Sequence, residues 1–189
     1  MKHGLKNVFG FVAGTVLALG AGTAGADAVG PYYATPSWDQ TLPASTRFVV
    51  LSNFNSQAVL DRETGLVWEK SPSNGLELEF PEWGQIQFLC ATLSKGNRKG
   101  WRLPTLQELA SLVDGDPANT GSPRLPPGHP FQNVRSSMSD YYWSATSEVA
   151  PNTDAAYIVS FFDGSVNGAK KDFFAFAWCV RGGQGVDPQ

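Results

Sequence analysis

Cysteine and histidine are scarce in this 189-residue chain, with two of each. That excludes zinc-finger, iron–sulfur and disulfide-dense scaffolds, which need several such side chains in close spacing. No strict Gly-X-Y repeat runs through the 20 glycines, so a collagen-like rod is excluded as well. Charged side chains make up only 16%, whereas six Trp and twelve Phe are present. Burying that many aromatic rings offsets ordering entropy, so the chain is not disordered. The length suits one domain, since two would each be short of a good core.

The N-terminus carries Lys2 and Lys6, then an uncharged apolar run over 8–19, then small residues with Ala-x-Ala at 24–26 and 26–28. This is the pattern of a secretory leader over 1–26, and the run is too short to cross a hydrocarbon core of roughly 30 Å. Beyond it remain twelve Lys and Arg against seventeen Asp and Glu, a formal net charge of −5. An acidic chain disfavours non-specific nucleic-acid binding. Export to a periplasmic, cell-surface or secreted location makes an oxidising environment, in which Cys90 and Cys179 are most simply one disulfide. Reactive thiols are the alternative, but a C-x-x-C spacing is lacking.

Residues 27–45 are rich in Pro, Ala, Gly, Thr and Tyr without a period and read as an extension or linker. The domain is expected over 46–183, with a tail at 184–189. Strands are expected at 47–51, 58–61 and 66–69, the last two joined by a hairpin ending in Gly65. Trp83, Ile86, Cys90 and Leu93 share one face of a first helix, opened by Pro81-Glu82. Thr105 and Glu108 form a capping box for a second helix, whose apolar face is Leu106, Leu109, Leu112 and Val113 and whose stop is Gly115. A long loop covers 114–140. Strands follow at 141–146, 156–162 and 173–181, with 165–171 as a late loop. The chain is therefore α+β, with a mostly antiparallel sheet, two helices and a long loop region.

Several of these strings are similar to one bacterial family. The Asp61-x-x-Thr64-Gly65-Leu66-x-Trp68 run resembles the opening of the Lcl C-terminal-domain family, named for the Legionella collagen-like adhesin. So do Trp83 with Cys90, Gly100-Trp101-Arg102-Leu103-Pro104-Thr105 with Glu108-Leu109, His129-Pro130-Phe131, the Tyr-Trp-Ser-Ala-Thr run at 142–146, and Cys179-Val180-Arg181-Gly182. The likeness spans 47–183 and rests on six strings in order. It implies a C-type-lectin-like fold, in which a helix cysteine pairs with one in the last strand, as Cys90 and Cys179 would. It also implies an extracellular binding role, the adhesin itself binding sulfated glycosaminoglycans. The chain departs from the adhesin in having no collagen-like stalk, and it carries no Glu-Pro-Asn, Gln-Pro-Asp or Trp-Asn-Asp of calcium-dependent sugar recognition.

Candidate chemistry is sparse. His129 is the only histidine beyond the leader, with no signalled nucleophile or orienting carboxylate, and reads as structural. Formylglycine-generating enzymes share the broad fold and need reactive or metal-binding cysteines, which a structural disulfide would remove. Asp114, Asp116 and Asn119 place three oxygen-bearing side chains in one loop, a weak start toward the six to eight oxygens of calcium, or simply a turn. Lys95, Arg98 and Lys99 cluster after the first helix, and Lys170 and Lys171 sit late in the chain; such cations suit anionic sugars. Arg102 reads as an internal ion-pair residue. Tyr141 is the aromatic ligand candidate, with Trp143 in the core and Asn167 and Lys170 completing a rim.

Taken together, these features indicate an exported, non-enzymatic binding or adhesion module for a glycan or surface protein, without a cofactor. A homo-oligomer is compatible with the sequence. The rivals are an assembly subunit of a surface appendage and a formylglycine-generating-like enzyme.

Overall fold

The computed structural model describes residues 42–73, 82–149 and 154–183. The expected leader at 1–26, residues 27–41 of the expected extension, Pro81 and the tail at 184–189 lie outside the described residues. In chain order the elements are α1 (Ala44–Arg47), β1 (Phe48–Val50), a 3-10 turn (Ser52–Phe54), β2 (Ala58–Asp61), β3 (Val67–Glu69), α2 (Trp83–Thr92), β4 (Trp101–Arg102), α3 (Leu106–Ala110), β5 (Tyr141–Ser147), β6 (Ala155–Ser160), β7 (Val166–Lys170) and β8 (Val180–Arg181). The fold is α+β, with two antiparallel sheets ordered β1-β2-β3-β8-β4 and β5-β6-β7. Among the described residues no helix is long and apolar enough to cross a membrane.

Local chemistry explains the well-formed elements. The β2–β3 hairpin turns on Gly65, whose φ of 70° is open to glycine and whose amide donates to the Asp61 carbonyl at 2.8 Å. That register sets Val59 beside Trp68, both fully buried. In α2 the Glu82 amide donates to the Gln85 side chain at 2.9 Å, one half of a capping box, and Ile86 and Cys90 face inward. The expected box at the second helix is present: the Thr105 amide donates to Glu108 Oε2 at 2.9 Å, and the Glu108 amide donates to Thr105 Oγ1 at 3.2 Å.

Four local expectations change. A one-turn helix, α1, precedes β1. Helix α3 ends at Ala110 rather than near Gly115, because Leu112 and Val113 bond three residues back and the Asp114 amide turns to the Arg124 carbonyl. The expected loop at 165–171 is strand β7. The expected strand at 173–181 is mostly irregular: the Phe173 amide turns back to Lys170, Phe176 makes a single parallel bridge to Tyr142, and only Val180 and Arg181 join a sheet.

Two buried clusters fill the interior. One gathers Trp68, Trp178, Tyr142, Phe161 and Phe131 with Leu109 and Leu112; the other gathers Ile86, Trp101, Trp143, Ile158 and both cysteines. Cys90 and Cys179 form a disulfide, tying α2 to the residue that precedes β8. The long loop is anchored through buried Leu125 and Phe131, and the Arg135 amide donates to the Tyr142 hydroxyl at 2.7 Å.

Candidate functional site

The outer part of the β5-β6-β7 sheet carries an open cleft of about 690 Å³. Its floor is Ile158 of β6 with Asn167 and Ala169 of β7, residues that alternate onto one face of the sheet. Its walls are aromatic: Tyr141 at the start of β5, and Phe173 and Phe174 in the turn after β7. The Tyr141 and Phe173 rings meet edge to face at 6.3 Å, and Phe173 meets buried Trp143 at 6.4 Å. Asp172 and Lys170 also line it, the Lys170 side chain alternating onto the face of β7 opposite Asn167 and Ala169. Phe173 and Phe174 remain 43% and 40% exposed, an unusual state for two adjacent phenylalanines in so small a domain.

Tyr141, Asn167 and Lys170 all line this cleft, Tyr141 on a strand as expected and the other two on β7 rather than a loop. Lys171 is not in the cleft. Its ammonium lies 4.3 Å over the Trp83 ring and 3.3 Å from Asp154 Oδ1, and its carbonyl accepts from the Trp83 amide, so it struts α2 against the sheet. The other basic residues lie between α2 and β4. Lys95 is turned inward, donating to Glu69 Oε1 at 2.6 Å and to the Ser71 carbonyl at 2.8 Å. Arg98 and Lys99 are exposed, Arg98 over the Phe54 ring at 5.6 Å. Arg102 makes a two-pronged pair with Glu108, both contacts at 2.7 Å, and belongs to the fold as its setting suggested.

The Asp114 loop satisfies itself. The Asn119 amide group donates to Asp114 Oδ2 at 2.6 Å, and the Asp116 and Ala118 backbone amides donate to Asp114 and Asp116 side chains. A cation there would have to displace an N–H donor already aimed at the carboxylate. Among the described residues no three His, Cys, Asp or Glu side chains converge as a metal-binding group.

His129 stacks on Phe131 at 5.9 Å, half-buried, and burial pushes its imidazole below the ordinary value of 6.5. The unfolded chain therefore binds the proton more readily. The associated stability is present above the ordinary histidine range and is lost as pH falls through 6.5 toward the folded value. The NMR titration midpoint of His129 is expected below that of a denatured control, and lowering pH from 7.5 to 5.5 should cost wild type more melting temperature than His129→Gln. Equal losses would show that this ring does not carry the effect.

Sequence reasoning missed Asp172, Phe173 and Phe174, because 173–181 reads as an apolar strand. It also missed two buried ionic centres. Glu69, fully buried, accepts from Lys95, from the Cys179 amide at 2.8 Å and from the Ser73 hydroxyl. Arg47, equally buried, grips Asp61 through two bonds of 2.9 and 2.8 Å. The sequence signals neither pairing, since a charged residue beside a turn reads as solvated surface.

The family-like strings map onto these structural supports. Asp61, Gly65 and Trp68 build the hairpin and its ion pair. Arg102, Thr105 and Glu108 build the cap, whose Leu106 amide donates to Thr146 Oγ1 at 2.9 Å. No curated protein sequence matches the chain. The family model described as Lcl C-terminal domain matches residues 57–181, from just before β2 to the end of β8. The chain belongs to the Lcl C-terminal domain family.

Proposed function

We propose that this chain is an exported, non-enzymatic, C-type-lectin-like binding module that recognises a glycan or a surface protein through the β5-β6-β7 cleft. The observation that carries the reading is the pair of part-exposed phenylalanines, Phe173 and Phe174, which line one cleft with Tyr141 and Asn167. Aromatic faces cover the C–H surfaces of sugars or anchor a protein side chain, while an amide such as that of Asn167 fixes orientation by hydrogen bonding. The family and the disulfide are compatible with an extracellular location. Both cysteines of the chain are in that disulfide, so thiol-dependent oxidation has no free sulfur to use.

A glycan array and a surface-protein capture screen with the purified protein test the reading. For the ligand found, Tyr141→Ala and Phe174→Ala should each weaken binding at least tenfold, about 1.4 kcal/mol, on the scale of a stacked ring in a recognition site. Arg98→Ala should change it little, and a chelator should leave it unaltered because the Asp114 loop is internally bonded. Binding indifferent to Tyr141 and Phe174 but lost with Arg98 and Lys99 would move the site to the end of α2.

A further inference from the structure

β7 is the outer strand of its sheet, bonded to β6 on one side only. The Ser160 amide donates to the Ser165 carbonyl and the Lys171 amide to the Asp154 carbonyl, bracketing the ladder. Bonded and non-bonded pairs alternate along antiparallel strands. Asn167 and Ala169 therefore bond inward to β6, while Val166, Gly168 and Lys170 turn their peptide groups to the open edge. Pairing runs without a bulge from Lys170 to Val166, the strand has no proline, and every residue but Ala169 is exposed. Of the outward groups, the Lys170 carbonyl alone is engaged among the described residues, by the Phe173 amide at 2.8 Å.

Such an edge templates another strand unless something blunts it. The charges around β7 say which strand it fits. Glu148 lies over Gly168, its Oε2 2.7 Å from where a Cβ would stand, on the face that Val166 and Lys170 share by alternation. Neither Glu148 nor Lys170 has an ion-pair partner among the described residues.

We infer that the β7 edge is an interface between two copies of this chain, paired antiparallel about a twofold axis at Gly168. In that register Gly168 exchanges both peptide bonds with the partner's Gly168, and Val166 faces the partner's Lys170. Lys170 then lies diagonal to the partner's Gly168, within reach of the carboxylate above it. Twofold symmetry makes this pair twice, and Val166, 42% exposed, is covered. Only glycine at 168 leaves Glu148 its place over the axis. The product is a continuous six-stranded sheet. An axis normal to that sheet opens both clefts on the same face, so two weak contacts to a repetitive surface act together, whatever the ligand.

Light scattering and sedimentation of the purified full chain over a wide concentration range test this. The expected result is a monomer–dimer equilibrium whose dissociation constant rises about tenfold or more in Lys170→Glu and in Glu148→Lys, since each creates two like-charge contacts. The double variant Lys170→Glu with Glu148→Lys should restore wild-type dimerisation, which no purely structural defect would do. A strict monomer at every concentration overturns the inference. So does a dimer that ignores both single variants, or one that the charge swap fails to rescue.

Discussion

Replacing Arg47 with Met is expected to destabilise the protein by about 3–5 kcal/mol, the cost of breaking a buried ion pair from one side. Arg47 has no solvent exposure, and Asp61 has none either. Besides its two bonds to Asp61, the guanidinium donates to the Ser111 carbonyl at 2.9 Å, stands 3.3 Å from Glu63 Oε2 and covers the Phe48 ring at 4.7 Å. It therefore joins α1, the β2–β3 hairpin and the end of α3, and neutralises two carboxylates at once. Methionine would fill much of the volume but leave Asp61 and Glu63 facing each other out of water. Denaturant unfolding measures the loss. A further Asp61→Leu change in the Met background should recover part of it, because an apolar pair removes the stranded charge as well as the bond. A deficit below about 1 kcal/mol would place the pair in effective contact with solvent.

This buried cluster also marks where sequence reading stops. The capping box at Thr105 and Glu108, the hairpin at Gly65 and the inward face of α2 were legible because each is a local rule: a fixed spacing whose partners lie within four residues. Arg47, Asp61, Glu63 and Ser111 are drawn together from positions up to 64 residues apart, and nothing local distinguishes a buried arginine from a solvated one. β7 escaped for a different reason. Val166–Lys170 has no buried face to impose alternation, so its pattern is that of a loop, and its pairing comes from β6 across the Asp163-Gly164 turn. Residues 175–180 show the converse. All are buried, which the apolar run announced, but burial between two clusters does not require a ladder. The cleft inherits both gaps: Tyr141, Asn167 and Lys170 were candidates by residue type and do line it, whereas Phe173 and Phe174 were assigned to a strand that the Lys170 turn interrupts.

Removing the disulfide is expected to cost a similar amount by a different route. Cys90 and Cys179 are separated by 89 residues, and opening a loop of that length returns about 4–5 kcal/mol of chain entropy to the unfolded state in the loop-closure model. Both half-cystines are fully buried, so the folded protein should resist reductant alone and lose the bond only when denaturant opens the core. Intact mass, rising by two hydrogens on reduction, distinguishes the two conditions. Cys90→Ser and Cys179→Ser should lower stability alike, with a further loss from placing a hydroxyl in an apolar cluster; the paired Cys90→Ala and Cys179→Ala variant removes that extra cost and isolates the cross-link. The site should feel the cross-link indirectly. Cys179 donates its amide to Glu69 Oε2 and sits a few residues after Phe173 and Phe174, so the disulfide pins the far end of the segment that forms the cleft wall. In the paired alanine variant, at a temperature where it is still folded, ligand affinity should fall although no contact residue has changed. Affinity equal to wild type would show that the Lys170 turn and the Trp143 contact position the phenylalanines without help from the cross-link.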